Sequence, residues 1–243
     1  MNLRGYFIAG TDTGVGKTRV TVGLLDAFAG TGERALGMKA VASGTDAAGR
    51  NEDVALIQAA NARSFAAGTG TAQADVAAAA AAAANPYCFE WPISAHLAAA
   101  RAAVTIDPRQ IRAAASTLGA QGALLLVEGT GGWLAPIGPG RTMADVAEAL
   151  GFPVVLVVGL RLGCLNHALL SARAITAGPL RLAGWIGSHI EPHMLAFQDN
   201  VATLDAWLPA PRLGLLAHCA APHADGAQLA AAARALRDAA VRR

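Results

Sequence analysis

The sequence predicts an α/β protein built on a doubly wound, mostly parallel sheet with helices on both faces. Three observations predict it. Short apolar runs alternate with stretches of helical spacing from one end of the chain to the other. Several runs, such as Ala123–Val127 and Pro153–Val158, are apolar at every position, as strands covered on both faces require. A glycine-rich turn stands between the first run and the first helix, where sheets of this kind hold ligands. No internal repeat is visible, and a single domain is expected over residues 1–243, with residues 62–84 an insertion rather than a second domain.

The elements follow in order. Arg4–Ala9 reads as the first strand, and it runs into Gly10–Thr18. Val20, Leu24, Leu25 and Phe28 then recur at helical spacing until Gly30 and Gly32. Ala35–Val41 reads as a second strand, followed by Ala42, Ser43 and Gly44. A polar loop, Thr45–Asn51, precedes a helix over Glu52–Ala60. Residues 62–84 are rich in Ala, Gly and Thr, with an alanine run from Ala77, and read as a surface insertion. Asn85–Phe89 suits a short strand, and Ile93–Ala103 and Pro108–Leu118 suit helices. Ala123–Glu128 is an apolar strand that ends in an acid, with Gly129–Trp133 turning after it. Thr142 is the expected N-cap of a helix with Asp145 and Glu148 in its first turns. Pro153–Val158, Leu182–Gly187 and Arg212–Leu216 read as strands, and Asn166–Ala177, Met194–Trp207 and Gly226–Val241 as helices.

Composition excludes several classes. The 243 residues are 54% hydrophobic and 15% charged, which argues against a disordered chain. A net charge of +2 offers no electrostatic footprint for nucleic acid. Mean hydropathy is +0.39, but no apolar run approaches the ~20 residues that span a bilayer. Met1–Tyr6 lacks the pattern of a secretory leader. The three cysteines, Cys88, Cys164 and Cys219, form no C-x-x-C pair and suit a reducing cytosol, so a cytoplasmic protein is expected. The basic residues comprise seventeen Arg and only two Lys, Lys17 and Lys39. A lysine retained against that bias suggests a need for a compact ammonium on a flexible stem.

Four features carry chemistry. Gly10-Thr-Asp-Thr-Gly-Val-Gly-Lys-Thr18 is a phosphate-binding loop with one residue more than the strict G-x-x-x-x-G-K-[ST] pattern. Its amides and the following helix N-terminus suit phosphates, Lys17 would reach the terminal phosphates, and the Thr18 hydroxyl would meet Mg²⁺. Glu128 stands at the tip of an apolar strand, where an acid holds Mg²⁺ directly or through water or simply caps the loop. Lys39 and Ser43 lie at the end of the second strand. Lys39 is either a surface residue or the cation for a second anionic group beside the phosphates. Asp53 is either a further metal carboxylate or a helix cap. Gly163–Asn166 opens a helix, which is either a plain start or a seat for a carboxylate or phosphate. His189 and His193 have i, i+4 spacing, but Pro192 between them disfavours a metal pair on a regular helix.

With these residues in hand, the chain resembles the dethiobiotin synthetases, ATP-dependent enzymes that close the ureido ring in biotin synthesis. The resemblance rests on Gly10–Thr18, Lys39 with Val41–Gly44, Asn51–Asp53, Asn85–Tyr87, Val127–Trp133 and Leu162–His167, with weaker support from Gly184-Trp185 and Pro209–Pro211. It implies a P-loop NTPase-like fold and ATP as co-substrate. It also implies Mg²⁺ held by Thr18, Asp53 and Glu128, and Lys17 and Lys39 as catalytic cations. Nucleotide contacts are implied at Gly14, Val15, Gly16, Lys17, Thr18, Asp53, Glu128, Gly129, Thr130, Gly131, Ser188 and His189. Contacts to the substrate, 7,8-diaminononanoate, are implied at Thr11, Ser43, Gly163, Cys164, Leu165 and Asn166. The last four are expected to come from the partner chain of a homodimer.

The chain departs from the family at several points. Ala40 stands where Pro is usual, Ser94-Ala-His96 replaces Ser-Pro-His, and Ala217 stands near the position of a usual Pro after the last strand. Ser188 replaces an adenine-reading Asn, and a hydroxyl cannot present the paired amide pattern, so looser nucleotide selectivity is expected. The alternative reading is a partition or septum-positioning ATPase switch of the same fold. Such proteins usually carry a second lysine early in the loop, where this chain has Thr11, Asp12 and Thr13. A cobyrinate-type amidotransferase would be expected to carry a glutaminase domain with its Cys nucleophile, which is not read in these 243 residues.

Overall fold

The structure is a computed structural model that describes residues 3–66, 80–120, 122–219 and 226–241. Among the described residues ten strands run in chain order as β1 (Gly5–Gly10), β2 (Ala35–Lys39), β3 (Val41–Ser43), β4 (Tyr87–Phe89), β5 (Leu124–Glu128), β6 (Pro136–Gly138), β7 (Arg141–Thr142), β8 (Val154–Leu160), β9 (Leu182–His189) and β10 (Arg212–Leu216). The helices are α1 (Lys17–Ala29), α2 (Glu52–Ala66), α3 (Ala95–Arg101), α4 (Pro108–Gly119), α5 (Met143–Leu150), α6 (Cys164–Thr176), α7 (Phe197–Trp207) and α8 (Gly226–Val241).

Six strands form one sheet in the order β10-β9-β8-β1-β5-β2, with every neighbouring pair parallel. The two-residue period of a strand sorts its side chains. In β1, Tyr6 and Ile8 join one apolar cluster with α1, α2 and α8, whereas Phe7 and Ala9 join the other with α4, α5 and α6. The sheet is therefore covered on both faces, as its apolar strands require. From β1 the chain crosses outward to β2, returns to fill β5 beside β1, and then builds β8, β9 and β10 on the other side. That reversal leaves a crevice at the carboxyl end of β1.

Some boundaries shift from expectation. The run Ala35–Val41 does not stay in one sheet. Ala40 ends β2, and β3 leaves the main sheet to pair with β4, Val41 opposite Tyr87. The helix expected from Asn166 begins at Cys164, because Gly163, at φ 92°, turns the chain into it from the left-handed region. The helix expected over Ile93–Ala103 is confined to Ala95–Arg101, and that over Met194–Trp207 starts at Phe197. Thr142 caps α5 as expected, in a reciprocal capping box with Asp145.

The supposed insertion has a structural end. Residues 67–79 lie outside the described residues, but Ala80, Ala83 and Ala84 are buried in the core. They also help finish the edge of the sheet. An edge strand presents unpaired N–H and C=O groups that must find partners. On β2 these belong to alternate residues, and flanking segments supply partners for five of them. Ser64 donates to the Ala35 carbonyl at 2.9 Å. Asn61 accepts from the Gly37 N–H at 2.7 Å and donates to the Gly37 carbonyl at 2.9 Å. Lys39 N–H donates to the Ala84 carbonyl, and Asn85 Nδ2 donates to the Lys39 carbonyl, both at 2.8 Å. Helix α2 thus runs on to Ala66, past the expected end at Ala60, with its second half fastened to the strand.

Asn61 is buried, and its side chain satisfies two backbone groups at once. Asn61→Ala should destabilise the fold by about 1–3 kcal/mol, the scale of an orphaned buried polar pair. Urea unfolding measures this, and an unchanged midpoint would refute the role.

Candidate active site

The loop after β1 is shaped by two glycines. Gly14 and Gly16 have φ of 73° and 88°, conformations that side chains with a Cβ rarely adopt. A Cβ on Gly16 would also lie 2.6 Å from Ser188 Oγ. Val15 is buried beneath the loop against Gly159 of β8 and anchors it to the sheet. Thr11 ties the loop to β8 through its N–H, which donates to the Val157 carbonyl at 3.0 Å. Asp12 accepts from the Thr13 N–H at 2.7 Å and pairs with Arg161 at 2.9 Å. Its carbonyl accepts from Lys17 Nζ at 2.8 Å.

Three strand or helix ends converge opposite the loop. The tip of β5 brings Glu128, fully buried, and the tip of β2 brings Lys39, 4% exposed. The first turn of α2 brings Asp53. Lys39 Nζ lies 2.5 Å from Glu128 Oε1 and 2.6 Å from Asp53 Oδ2. Thr18 Oγ1 donates to the same Glu128 Oε1 at 2.8 Å. The other oxygen, Glu128 Oε2, is buried without a partner.

The two lysines sit in different fields. Burial lowers Lys17 from the ordinary lysine value to about 8, because an uncompensated ammonium is poorly solvated there. Burial opposes the charge of Lys39 too, yet the Glu128 and Asp53 carboxylates hold it above the ordinary lysine range. Asp53 is also partly desolvated, but the Lys39 ammonium keeps its carboxyl below the usual carboxylate range.

One cavity is lined by Thr13, Gly14, Gly16, Lys17, Thr18, Lys39, Asp53, Glu128, Thr130 and Gly131. A second, lined by Ser43, Pro92, Ile93 and Ser94, adjoins it through Thr13, Thr130 and Gly131. Nine residues singled out from the sequence therefore meet in the first cavity, and Ser43 lines the second. Others stand apart. Gly129 packs against Phe7 and Met143, and its N–H donates to the Ile8 carbonyl. Ser188 is buried behind Gly16 with its hydroxyl unpartnered. The His189 ring packs on Phe197 with centroids 4.4 Å apart and planes tilted by 36°, and its Nε2 is buried without a hydrogen bond. Neither lines the cavity around Lys17. Gly163 and Asn166 are exposed, Leu165 is half-buried, and the Cys164 thiol is in the core, so only its backbone can face a ligand.

Sequence reasoning missed Asp12, Arg161 and Asn85 as the residues that fix the loop and the lysine strand. Asp12 lies within Gly10–Thr18 and Asn85 opens Asn85–Tyr87, so local sequence signals both. Arg161 follows a strand directly, and nothing in the chain pairs it with a residue 149 positions away.

The chain matches the family model described as an AAA domain over residues 4–220. It is 46% identical over 234 residues to the ATP-dependent dethiobiotin synthetase BioD of Aromatoleum aromaticum, with 95% of this chain and 97% of that protein covered. It is 44% identical over 213 residues to the BioD protein of Nitrosospira multiformis, covering 88% of each. Among solved structures it resembles the MinD cell division protein of Aquifex aeolicus, with TM-score 0.55, 16% identity and 97% of each chain covered. It also resembles a ParA family ATPase of Chlorobium tepidum, with TM-score 0.52, 11% identity, and 98% of this chain and 99% of that one covered. These two likenesses carry the fold alone, whereas identity above 40% along most of the length carries the family: the chain belongs to the ATP-dependent dethiobiotin synthetases.

Proposed function

We propose that this chain converts 7,8-diaminononanoate, CO₂ and ATP to dethiobiotin, ADP and phosphate. The observation that carries the reading is that both lysines of the chain line one cavity with a hydroxyl and two carboxylates. One amine of the substrate first takes up CO₂ as a carbamate. A carbamate oxygen then attacks the γ-phosphorus of ATP, the bond to ADP breaks, and a carbamic-phosphoric anhydride forms. The second amine attacks the carbonyl carbon, loses a proton, and expels phosphate as the ring closes.

The chain's own groups fit these steps. The loop amides from Gly14 to Thr18 and the start of α1 would cradle the phosphates. Thr130 and Gly131 would border the nucleotide. Lys17, freed from the Asp12 carbonyl, would meet the transferring phosphoryl group. Lys39 would face the carbamate from the other side, and charge spread over those oxygens is what such donors stabilise. Ser43 would border the diamine in the adjoining cavity, and Thr11, which lines neither cavity, would act on it from just before the lining residues Asp12 and Thr13. Thr18, Asp53 and Glu128 would hold Mg²⁺. The buried, unpartnered Glu128 Oε2 fits a hard cation that takes oxygen ligands. When bound, the ion would neutralise phosphate charge. We read the described residues as one domain and the working unit as a homodimer. The exposed Leu162 and Leu170, with Gly163–Asn166 between them, suit a second copy that shares its substrate site. A cytoplasmic location fits the cysteine content, and no helix among the described residues is long and apolar enough to cross a membrane. The ATPase-switch alternative is not favoured, because the loop's first residues supply no second lysine.

ADP release should require both the diamine and bicarbonate, and Lys17→Gln or Lys39→Gln should each lower turnover at least ~100-fold. Release without either substrate, or near-normal variants, would overturn the reading. Burial of Ser188 leaves no side chain there to read a base edge. ATP and CTP should therefore differ by less than about tenfold in kcat/KM, far below the ~10⁴-fold rejection a hydrogen-bonding site achieves. A strong ATP preference would refute this. Because Lys17 titrates near 8 and must be charged to hold phosphate, metal-free ADP affinity should fall as pH rises through about 8. Calorimetry that finds equal affinity at low and high pH would exclude Lys17 as the phosphate cation.

A further inference from the structure

The metal ligands assigned above already hold a cation. Lys39 Nζ donates to Glu128 Oε1 and Asp53 Oδ2, and the Thr18 hydroxyl donates to that same Glu128 oxygen. Without Lys39, the fully buried Glu128 carboxylate would lose the ammonium it is paired with, which is strongly unfavourable. A divalent ion on the open Glu128 Oε2 would sit within a few ångströms of the ammonium held on Glu128 Oε1 and Asp53 Oδ2, and repulsion at such separations in a buried site amounts to roughly several kcal/mol. A lysine stem is long and flexible enough to leave.

We propose that Lys39 is a built-in placeholder at this acidic pair. In the metal-free protein its ammonium neutralises Glu128 and Asp53. When a divalent cation is held there, Lys39 is released into the cavity, where it serves the reaction. The device makes the catalytic ammonium available only when the metal is present, so neither cation works alone. The inference rests on the nucleotide and metal reading of the preceding subsection, and its test separates the two.

Lysine labelled with ¹³C at Cε gives two signals in this chain, one for Lys17 and one for Lys39, assigned with Lys17→Gln and Lys39→Gln. Saturating ADP without metal should move the Lys17 signal and leave Lys39 in place. Mg²⁺ added afterwards should move Lys39. If Lys17 responds to ADP but Lys39 ignores Mg²⁺, the placeholder is refuted while the nucleotide site stands. If Lys17 ignores ADP, the nucleotide reading fails and the placeholder with it. Independently, Lys39→Met should bind Mn²⁺ without nucleotide at least ~10-fold more tightly than the wild type, read by electron paramagnetic resonance of free Mn²⁺. Equal or weaker binding by a variant with unchanged circular dichroism would overturn the proposal. If the variant does not fold, the wild-type spectra decide.

Discussion

A lysine ammonium buried between two carboxylates is the interaction on which the site depends. Lys39, Glu128 and Asp53 come from a strand tip, a neighbouring strand tip and a helix start. Lys39 and Glu128 are buried and each would be unfavourable there by itself, while Asp53 is half-buried. Their mutual pairing makes the cluster tolerable, and the parallel sheet supplies the register that lets it form. In that register Lys39 stands directly opposite Glu128. A shift of one residue would point one side chain to the other face.

The backbone holds that register with unusual thoroughness at this edge. The Ala40 N–H donates to the Glu128 carbonyl at 3.0 Å, immediately beside the paired side chains. The family usually has proline at this position, and proline has no N–H to give. The departure therefore adds a link between the two strand ends rather than weakening the site. Asn85, Ala84 and Asn61 complete the other side of β2. Functional charge and structural hydrogen bonding are thus two aspects of one edge strand.

The other lysine illustrates the opposite arrangement. Lys17 has no carboxylate in hydrogen-bond contact, only the Asp12 carbonyl. Its charge is kept available for a ligand that brings negative charge with it. The loop carrying it is fastened from below by Val15, from the side by the Thr11 amide, and at its rim by Asp12 and Arg161. Behind it, Ser188 fills the space against Gly16. That packing suits a small side chain and leaves little there to extend toward a nucleotide base.

The sequence by itself determined the fold class, because strands apolar on both faces can only be buried within a helix-covered parallel sheet. It also determined the phosphate loop, because Gly14 and Gly16 occupy conformations that other residues avoid, and it singled out the two lysines by their scarcity. Tertiary structure alone decided that Lys39 belongs with Glu128 and Asp53, since pairing across 89 and 14 residues is set by strand order and not by local spacing. It likewise decided that the Ala-rich segment ends in the core, that the second strand breaks at Ala40, and that Ser188 faces the loop. These outcomes depend on which backbone groups remain unpaired at a sheet edge and which volumes remain to be filled, and neither exists until the chain has folded.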